Sequence, residues 1–504
     1  MATYSVPGVY VSESPLVQNV NRSNTTQSVA AFIGTAPRGP ENPTLINSWS
    51  AYKNYYDDAE TGHELPYSVY HYFANGGRDA YIVRATNASA TAASVVMPYY
   101  PNGSGAASGS LFTGTANSRG TWGNSLSLKT TAGGTAATAT QIPTFNLSIL
   151  LNGVEVERWN EVSTDPNNNR YLEAVLNNFS KFLTVTVPSG AKTAASTWVP
   201  YTTAAVSLAG GASGGAAADY QAAADKLDAV EGVLLINAPG VTDTATVNML
   251  IGKAESRGNS FVVIDPTTAA PSDYGSTVAN LYTSSSYAAV YYPMLKMADP
   301  AKSGPAAIRD TYPGGAVMGA FVRTEVARTV AKAPAGFTTD VRNAFGLYGT
   351  KPTAAQAGTL YDTYGVNVFK AIPGGGIVIN GARTLDKTSP GKYIPIRRSL
   401  NYIKQGLKDL TSYAVFEPND DRLWASVSIR SASFLNQFWR AGGLKGRNAA
   451  EAFYVVCDET NNTDETIAQG EVRLEVGVAL QYPAEFIVIS VSQWTGGSNA
   501  ASTL

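Results

Sequence analysis

Two short apolar runs constrain the fold of this 504-residue chain more than any other feature. Residues 233–236 (Val-Leu-Leu-Ile) and 261–264 (Phe-Val-Val-Ile) contain no polar side chain. A strand with one face in solvent alternates polar and apolar residues, whereas parallel strands covered by helices on both faces are apolar throughout. Residues 220–230 and 245–257 have a helix-like pattern and adjoin these runs. The sequence therefore predicts an α/β core built on a parallel sheet.

The same α/β pattern occurs earlier, at residues 29–84, and is then interrupted. Two stretches of low complexity, at 102–110 and 202–218, enclose segments that alternate as half-buried strands do, at 126–128 and 145–149. We therefore predict a multidomain α/β protein. Its central α/β domain is discontinuous, covering 29–87 and 217–380, and a mainly β, surface-exposed domain is inserted at 88–216.

The remaining segment, 381–495, predicts an α+β domain followed by a flexible tail at 496–504. It begins with a helix whose apolar face carries Leu400, Ile403, Leu407 and Leu410. A strand is predicted at 414–416. A second amphipathic helix follows, with Asn419 as its N-cap and Asp420 and Asp421 at the positive end of its dipole, and it runs to Arg440 before two glycines.

Strand-like runs near both termini predict extended arms. Residues 1–28 form the N-terminal arm, which carries Val9, Tyr10 and Val11, and about 20 extended residues can reach about 65 Å. The alternative for the N-terminal run is an edge strand on the protein's own sheet. The C-terminal run is apolar on both faces and consists of Phe486, Ile487, Val488, Ile489 and Val491.

The composition argues against most chemistry. A net charge of -2 and a pI near 5.9 provide no basic field for nucleic acid. Cys457 is the only cysteine, and His63 and His71 are the only histidines, so we expect no metal site, no cofactor and no catalytic residue. No phosphate-binding loop is present. We expect no membrane insertion and no cleaved export signal, because no apolar segment is long enough for either.

The order of motifs along the chain resembles the contractile tail sheath family of myophages and related injection systems. Each motif is weak alone, but together they extend over nearly the whole sequence. They are Pro7-Gly8-Val9-Tyr10-Val11, Phe32 to Pro40, Asn75-Gly76-Gly77, Glu231-Gly232-Val233, Val263-Ile264-Asp265-Pro266, Ala288 to Pro293, Lys332 to Gly336, Gly381-Ala382-Arg383-Thr384-Leu385, Phe416 to Asp421, Glu451 to Asp458 and Pro483 to Ile489.

This resemblance implies a structural subunit without enzymatic activity. Such subunits polymerise as stacked rings around an inner tail tube, exchange strands with their neighbours, and contract to drive the tube through a host envelope. The implied partners are further copies of the chain, the tail tube protein, and the baseplate and tail terminator proteins. The implied location is the virion tail sheath, assembled in the host cytoplasm. The sheath of a pyocin-like injection particle is the alternative.

The resemblance also places the C-terminal domain against the inner tube. Arg440, Lys445 and Arg447 cluster around the end of the second helix, so they become a candidate contact with an acidic tube surface. Basic residues at a helix C-terminus also serve simply as dipole partners, which is an equally good interpretation.

Two other functions remain open on the residues alone. Gly211-Ala212-Ser213-Gly214-Gly215 matches the G-x-S-x-G pattern of hydrolases, but both histidines precede it in the chain. A glycan-binding role is suggested by 28 Tyr and 7 Trp residues together with the β-like insert.

Overall fold

The computed structural model describes residues 28–60, 62–101, 109–136, 142–192, 198–199, 204–215, 217–305, 307–388 and 390–485. Within this part of the chain lie twelve α-helices and several separate sheets. The mixed α/β class predicted from sequence is confirmed at that level. The exact domain bounds remain a prediction.

The central sheet is assembled from segments on both sides of the inserted region. Before the insert lie β1 (Val29–Gly34), β2 (Thr44–Ile46), α1 (Trp49–Tyr56), α2 (Leu65–Ala74) and β3 (Ala80–Arg84). The elements after the insert are α4 (Tyr220–Asp225), β12 (Leu234–Asn237), α5 (Thr244–Arg257), β13 (Ser260–Ile264), α6 (Tyr274–Leu281), β14 (Ala288–Tyr292), β15 (Leu295–Ala298), β16 (Ile308–Thr311), α7 (Gly314–Ala327), β17 (Ala344–Leu347), α8 (Ala354–Tyr364), β18 (Val366–Ile372) and β19 (Gly376–Asn380).

The eight strands of this sheet follow the order β19-β18-β14-β13-β12-β1-β3-β2. Adjacent strands in this order are parallel to each other from β18 to β3. The two edge strands are antiparallel to their neighbours, β19 to β18 and β2 to β3. Leu235 packs into the apolar cluster on one face, while Leu234 and Ile236 pack into the cluster on the other. The sheet is buried on both faces, as the apolar runs predicted. A smaller sheet, β16-β15-β17, packs beside it.

The inserted region folds around its own apolar core. Its elements are β4 (Ser94–Pro101), β5 (Gly109–Ala116), β6 (Leu126–Ala132), β7 (Thr144–Leu151), β8 (Val154–Ser163), α3 (Leu172–Phe179), β9 (Leu183–Thr186), β10 (Trp198–Val199) and β11 (Val206–Ser207). They form two four-stranded sheets, β10-β4-β5-β9 and β11-β6-β7-β8, which share one hydrophobic cluster.

The C-terminal elements are α9 (Ile394–Thr411), α10 (Asp421–Arg440), α11 (Ala449–Ala452), β20 (Phe453–Val456), α12 (Asp464–Ala468) and β21 (Glu475–Val478). The two long helices pack closely, since a Cβ added to Gly406 of α9 would lie 1.9 Å from the ring of Phe434 in α10. Phe434, Leu435 and Phe438 are fully buried in the cluster between them.

Two local predictions in this region were wrong. Residues 414–416 form no strand: α9 runs directly into a 3₁₀ turn at Ser412–Ala414, and Phe416 takes a left-handed backbone with φ of 71°. The N-cap of α10 is Asp420, which accepts from the backbone N–H of Arg422 and Leu423, rather than Asn419. Asn419 instead accepts from the indole of Trp424 at 2.7 Å.

Candidate assembly surfaces

The strands predicted to be exchanged between subunits, at residues 9–11 and 486–491, lie outside the described residues. Ser28 is the first described residue and Glu485 is the last. Each of them is hydrogen-bonded to a buried arginine side chain.

At the start of the described chain, Ser28 contacts a buried ion pair. The guanidinium of Arg398, in α9, lies 2.6 Å from the carboxylate of Glu325, in α7, with side chains 2% and 8% exposed. The backbone N–H of Ser28 donates to Glu325 at 3.0 Å, and its hydroxyl accepts from Arg398 at 3.2 Å. Burial lowers the pKa of Arg398 against the pull of Glu325. We call this set of three residues the N-clamp.

At the end of the described chain, Glu485 accepts hydrogen bonds from two side chains, those of Arg383 and Tyr361. Arg383 donates two bonds to its carboxylate, at 2.7 and 3.2 Å, and the hydroxyl of Tyr361 donates a third. The arginine and glutamate side chains are only 7% and 10% exposed. Arg383 also donates to the more exposed Asp362 at 2.8 Å and stacks on the ring of Tyr361. Arg383, Tyr361 and Glu485 form the C-clamp.

The contacts of the C-clamp shift the pKa values of Arg383 and Tyr361. Burial alone would lower the pKa of Arg383, but its hydrogen bonds to Glu485 and Asp362 outweigh burial and hold that pKa above its ordinary value. Burial, together with the donated hydrogen bond, raises the pKa of the Tyr361 hydroxyl. A bidentate arginine–carboxylate pair with fixed geometry is among the stronger polar contacts in proteins.

The small C-terminal sheet has two strands and two open edges. β20 pairs with β21 in antiparallel fashion, with Tyr454 opposite Gly477 and Val455 opposite Val476. Among the described residues, no further strand pairs with the outer edge of either strand. Just beyond β21, an isolated antiparallel bridge pairs Leu480 with Leu444 of the loop that follows α10. Unpaired strand edges are templates for strands from other chains.

The three basic residues predicted as a cluster at the end of α10 lie on the surface. Arg440 closes the helix, and Lys445 and Arg447 follow in the next loop, with all three side chains exposed. The loop is fixed through its backbone, since the N–H of Lys445 donates to Ala479 at 2.7 Å and that of Arg447 donates to Glu451 at 2.8 Å. Within the described part of the chain, none of the three side chains takes part in an ion pair.

The residues considered for enzymatic chemistry are not arranged for it. Ser213 is exposed in a loop and does not lie on a strand-to-helix turn, which a nucleophile elbow requires. His71 is fully buried in α2, and burial lowers its pKa to about 4. Among the described residues, no group of three or more His, Cys, Asp or Glu side chains could hold a metal ion. The part of the chain that the structure describes contains no helix long and apolar enough to cross a bilayer.

One sequence motif serves to attach the insert. Arg84 donates to the backbone carbonyls of Ala36 and Pro37, at 2.8 and 3.1 Å, and to that of Arg119 in the insert at 2.9 Å. Arg119 in turn makes a two-pronged contact with Glu41 of the central region. Hydrogen bonds and an ion pair therefore attach the insert to the segment 36–41.

Comparison with known proteins identifies the C-terminal region first. Residues 386–493 match the family model of the phage tail sheath C-terminal domain. The predicted resemblance to contractile tail sheath proteins is confirmed. The tail sheath protein of Vibrio phage KVP40 is 27% identical over 177 residues, and that of Enterobacteria phage T4 is 28% identical over 157 residues. These matches cover 35% and 31% of this chain, and the chain spans only 25% and 23% of the two phage proteins.

A solved structure extends the similarity over nearly the whole chain. The helical sheath of the anti-feeding prophage (AFP), in its contracted state, has a TM-score of 0.58 and 20% sequence identity. The match covers 97% of this chain and 100% of that one. At this identity the comparison shows a shared fold, from the first described strand to the C-terminal region.

Sequence reasoning missed both clamps. The C-clamp joins two of the sheath-like motifs, Gly381 to Leu385 and Pro483 to Ile489, whose ion-paired residues are 102 positions apart. The sequence did contain one signal for this pair: Arg383 and Glu485 are the charged residues of two motifs that otherwise consist mainly of apolar or small residues. The partners of the N-clamp are further apart, since Ser28 and Arg398 are separated by 370 positions, and no local pattern connects them.

Proposed function

We propose that this chain is the structural subunit of a contractile sheath, which polymerises as stacked rings around an inner tube. The observation that carries the proposal is the shared fold with an AFP sheath protein over 97% of the chain, together with the sheath family match at residues 386–493. A heterologous contact that does not close on itself produces a helical polymer rather than a finite ring.

We further propose that strands from neighbouring copies complete the β20–β21 sheet. The sheet offers two open edges, and the chain offers two strand-like runs, at 9–11 and 486–491. A strand added to an edge satisfies backbone groups on both chains while its alternate side chains find pockets. Such links remain intact when the subunits move as rigid bodies, which a contracting lattice requires.

Contraction in this proposal is a change between two packings of the same polymer. The extended form stores free energy at assembly and is held kinetically by the tube, the baseplate and the tail terminator. The subunit itself then needs neither nucleotide nor cofactor. The particle is assembled in the host cytoplasm and carries the sheath on its tail.

The exposed cluster of Arg440, Lys445 and Arg447 is proposed as the contact with the tube. Three cations without ion-pair partners in the described structure favour an acidic surface opposite them, and such contacts weaken as salt rises. The salt dependence separates this role from a purely helix-stabilising one, which would leave tube binding unchanged when the cations are replaced.

The second candidate is the sheath of a phage-derived, pyocin-like contractile injection particle. It is favoured by the structural match, with a TM-score of 0.56, to the PVC sheath complex of an extracellular contractile injection system. Both candidates need the same subunit chemistry and differ in the particle that surrounds it.

Negative-stain microscopy of the purified full-length chain tests the shared part of both proposals. We expect rings or tubes of uniform diameter that grow in number with protein concentration. A chain that stays monomeric at high concentration, with and without the tube protein, would overturn the proposal.

A further inference from the structure

Both predicted arms start from the same small region of the body, at the beginning of α9. Arg398 of the N-clamp lies in the second turn of this helix. The C-clamp lies beside the start of the helix, because Arg383 forms a β-bridge with Tyr393, the residue that precedes the helix. Tyr393 also packs edge-on against the ring of Tyr482, at 5.8 Å. Arg398 follows Tyr393 by five positions, which is about 8 Å along a helix axis.

The two clamps are built alike although they come from different parts of the sequence. Each has a buried arginine, a nearly buried glutamate, and a hydroxyl group that bonds to one member of the pair, from Ser28 in one case and Tyr361 in the other. Ser28 is the last residue of the predicted N-terminal arm, and Glu485 directly precedes the predicted strand at 486–491. Surface ion pairs contribute little, but breaking a buried pair leaves a charge without compensation.

We propose that the clamps anchor the two arms to the start of α9, which makes this helix the common root of both inter-subunit connections. This inference rests on the proposed function, since it assigns the arms to neighbouring copies of the chain. Without the clamps, tension on an arm would detach the residues next to it from the rest of the subunit, because terminal segments open most easily. With one clamp on α9 and the other bridged to the residue that precedes it, a displacement of one arm moves the anchoring point of the other.

The C-clamp provides the sharper test, because its glutamate directly precedes the predicted strand at 486–491. Glu485→Gln removes the charge that pairs with Arg383 while keeping the side-chain length. Released residues can leave the body, and Arg383 can then become hydrated, so the fold itself should survive. Asp362→Asn is the matched control: it removes a partner of the same arginine, but that carboxylate is 64% exposed and holds no part of the arm.

The experiment combines hydrogen exchange on the unassembled full-length chain with the critical concentration for assembly. In Glu485→Gln we expect residues 479–485 to exchange at least about tenfold faster, while the main thermal transition stays close to that of the wild type. The critical concentration should rise by about tenfold or more, because a loosely rooted arm must be ordered before it can link two subunits. Asp362→Asn should match the wild type in both measurements.

Several outcomes would overturn the inference. Unchanged exchange at 479–485 would show that the clamp holds nothing, and wild-type assembly despite fast exchange would show that the root is unnecessary for linkage. If Glu485→Gln unfolds, Tyr361→Phe removes only one hydrogen bond to Glu485 and repeats the comparison in a milder form. If that variant also unfolds, the cluster maintains the fold rather than the arm.

Failure of the proposed function would look different. The wild-type chain itself would then form no rings or tubes, and the arm assignment would fall with it. Failure of this inference alone leaves wild-type assembly intact.

Discussion

Two buried groups in the central region should oppose each other as the pH falls from 6.0 to 4.5. His71 is fully buried, and burial lowers its pKa from 6.5 to about 4. Asp265 is also buried, and burial raises its pKa from 3.8 to about 6, even though it accepts bonds from Asn237 and from the backbone of Gly240 and Gly314. Removing either group by substitution should expose the effect of the other.

The sign differs because one group stays unprotonated in the fold and the other stays protonated. The unfolded chain binds a proton at His71 that the folded chain does not, so acidification from pH 6.0 to 4.5 destabilises the fold by about 2 kcal/mol through this group. At Asp265 the folded chain holds the extra proton, and the same change stabilises the fold by a similar amount. The two contributions oppose each other.

Hydrogen exchange of amides in β13 and α7 measures these contributions in the unassembled chain. Relative to the wild type, we expect the stability of His71→Gln to rise by about 2 kcal/mol on going from pH 6.0 to 4.5, because it loses the acid-sensitive group. Asp265→Asn should lose a similar amount. Comparison with the wild type at each pH removes the effect of all other titrating groups. Equal pH dependence in all three chains would refute the assignment of either buried group.

Three further predictions concern packing and the insert. Gly406→Ala should destabilise the C-terminal region by about 1 to 3 kcal/mol in thermal unfolding, because the new Cβ would meet the ring of Phe434. The control is Gly358→Ala in α8, where no atom lies within 4 Å of the new Cβ, and it should be neutral or stabilising by up to about 1 kcal/mol. Equal effects of the two substitutions would contradict the close helix contact. Ser213→Ala should leave assembly unchanged, and an esterase or peptidase activity lost with that change would contradict a structural role. Replacing residues 88–216 with a short Gly/Ser linker should still give rings or tubes by microscopy, and a folded core that cannot assemble would show that the insert is structural.

The sequence predicted those parts of the fold that depend on local apolar patterns. The runs at 233–236 and 261–264 became parallel strands with both faces buried, and α10 begins and ends within a few residues of its predicted bounds. The predicted strand at 414–416 was wrong because apolar character alone does not supply a pairing partner, and the short connection between α9 and α10 has none.

The clamps could not be predicted, because their geometry depends on tertiary contacts. Arg383 and Glu485 meet only when the chain leaving β21 returns across the start of α9. Likewise Arg398 is a charged residue of an amphipathic helix, and nothing nearby in sequence indicates that it is buried against Glu325. The basic residues after α10 were easier, since three cations within eight positions must lie near one another.

The strand-exchange account is tested most directly by microscopy of chains that lack one arm. Deleting residues 1–21 or 486–504 leaves both clamps in place, because Ser28 and Glu485 are retained. We expect each shortened chain to melt close to the temperature of the full-length monomer and yet to form no rings or tubes under conditions in which the full chain assembles. Normal assembly by a shortened chain, or a large fall in its melting temperature, would contradict the account, since it would mean that the deleted strand is dispensable or pairs within its own chain.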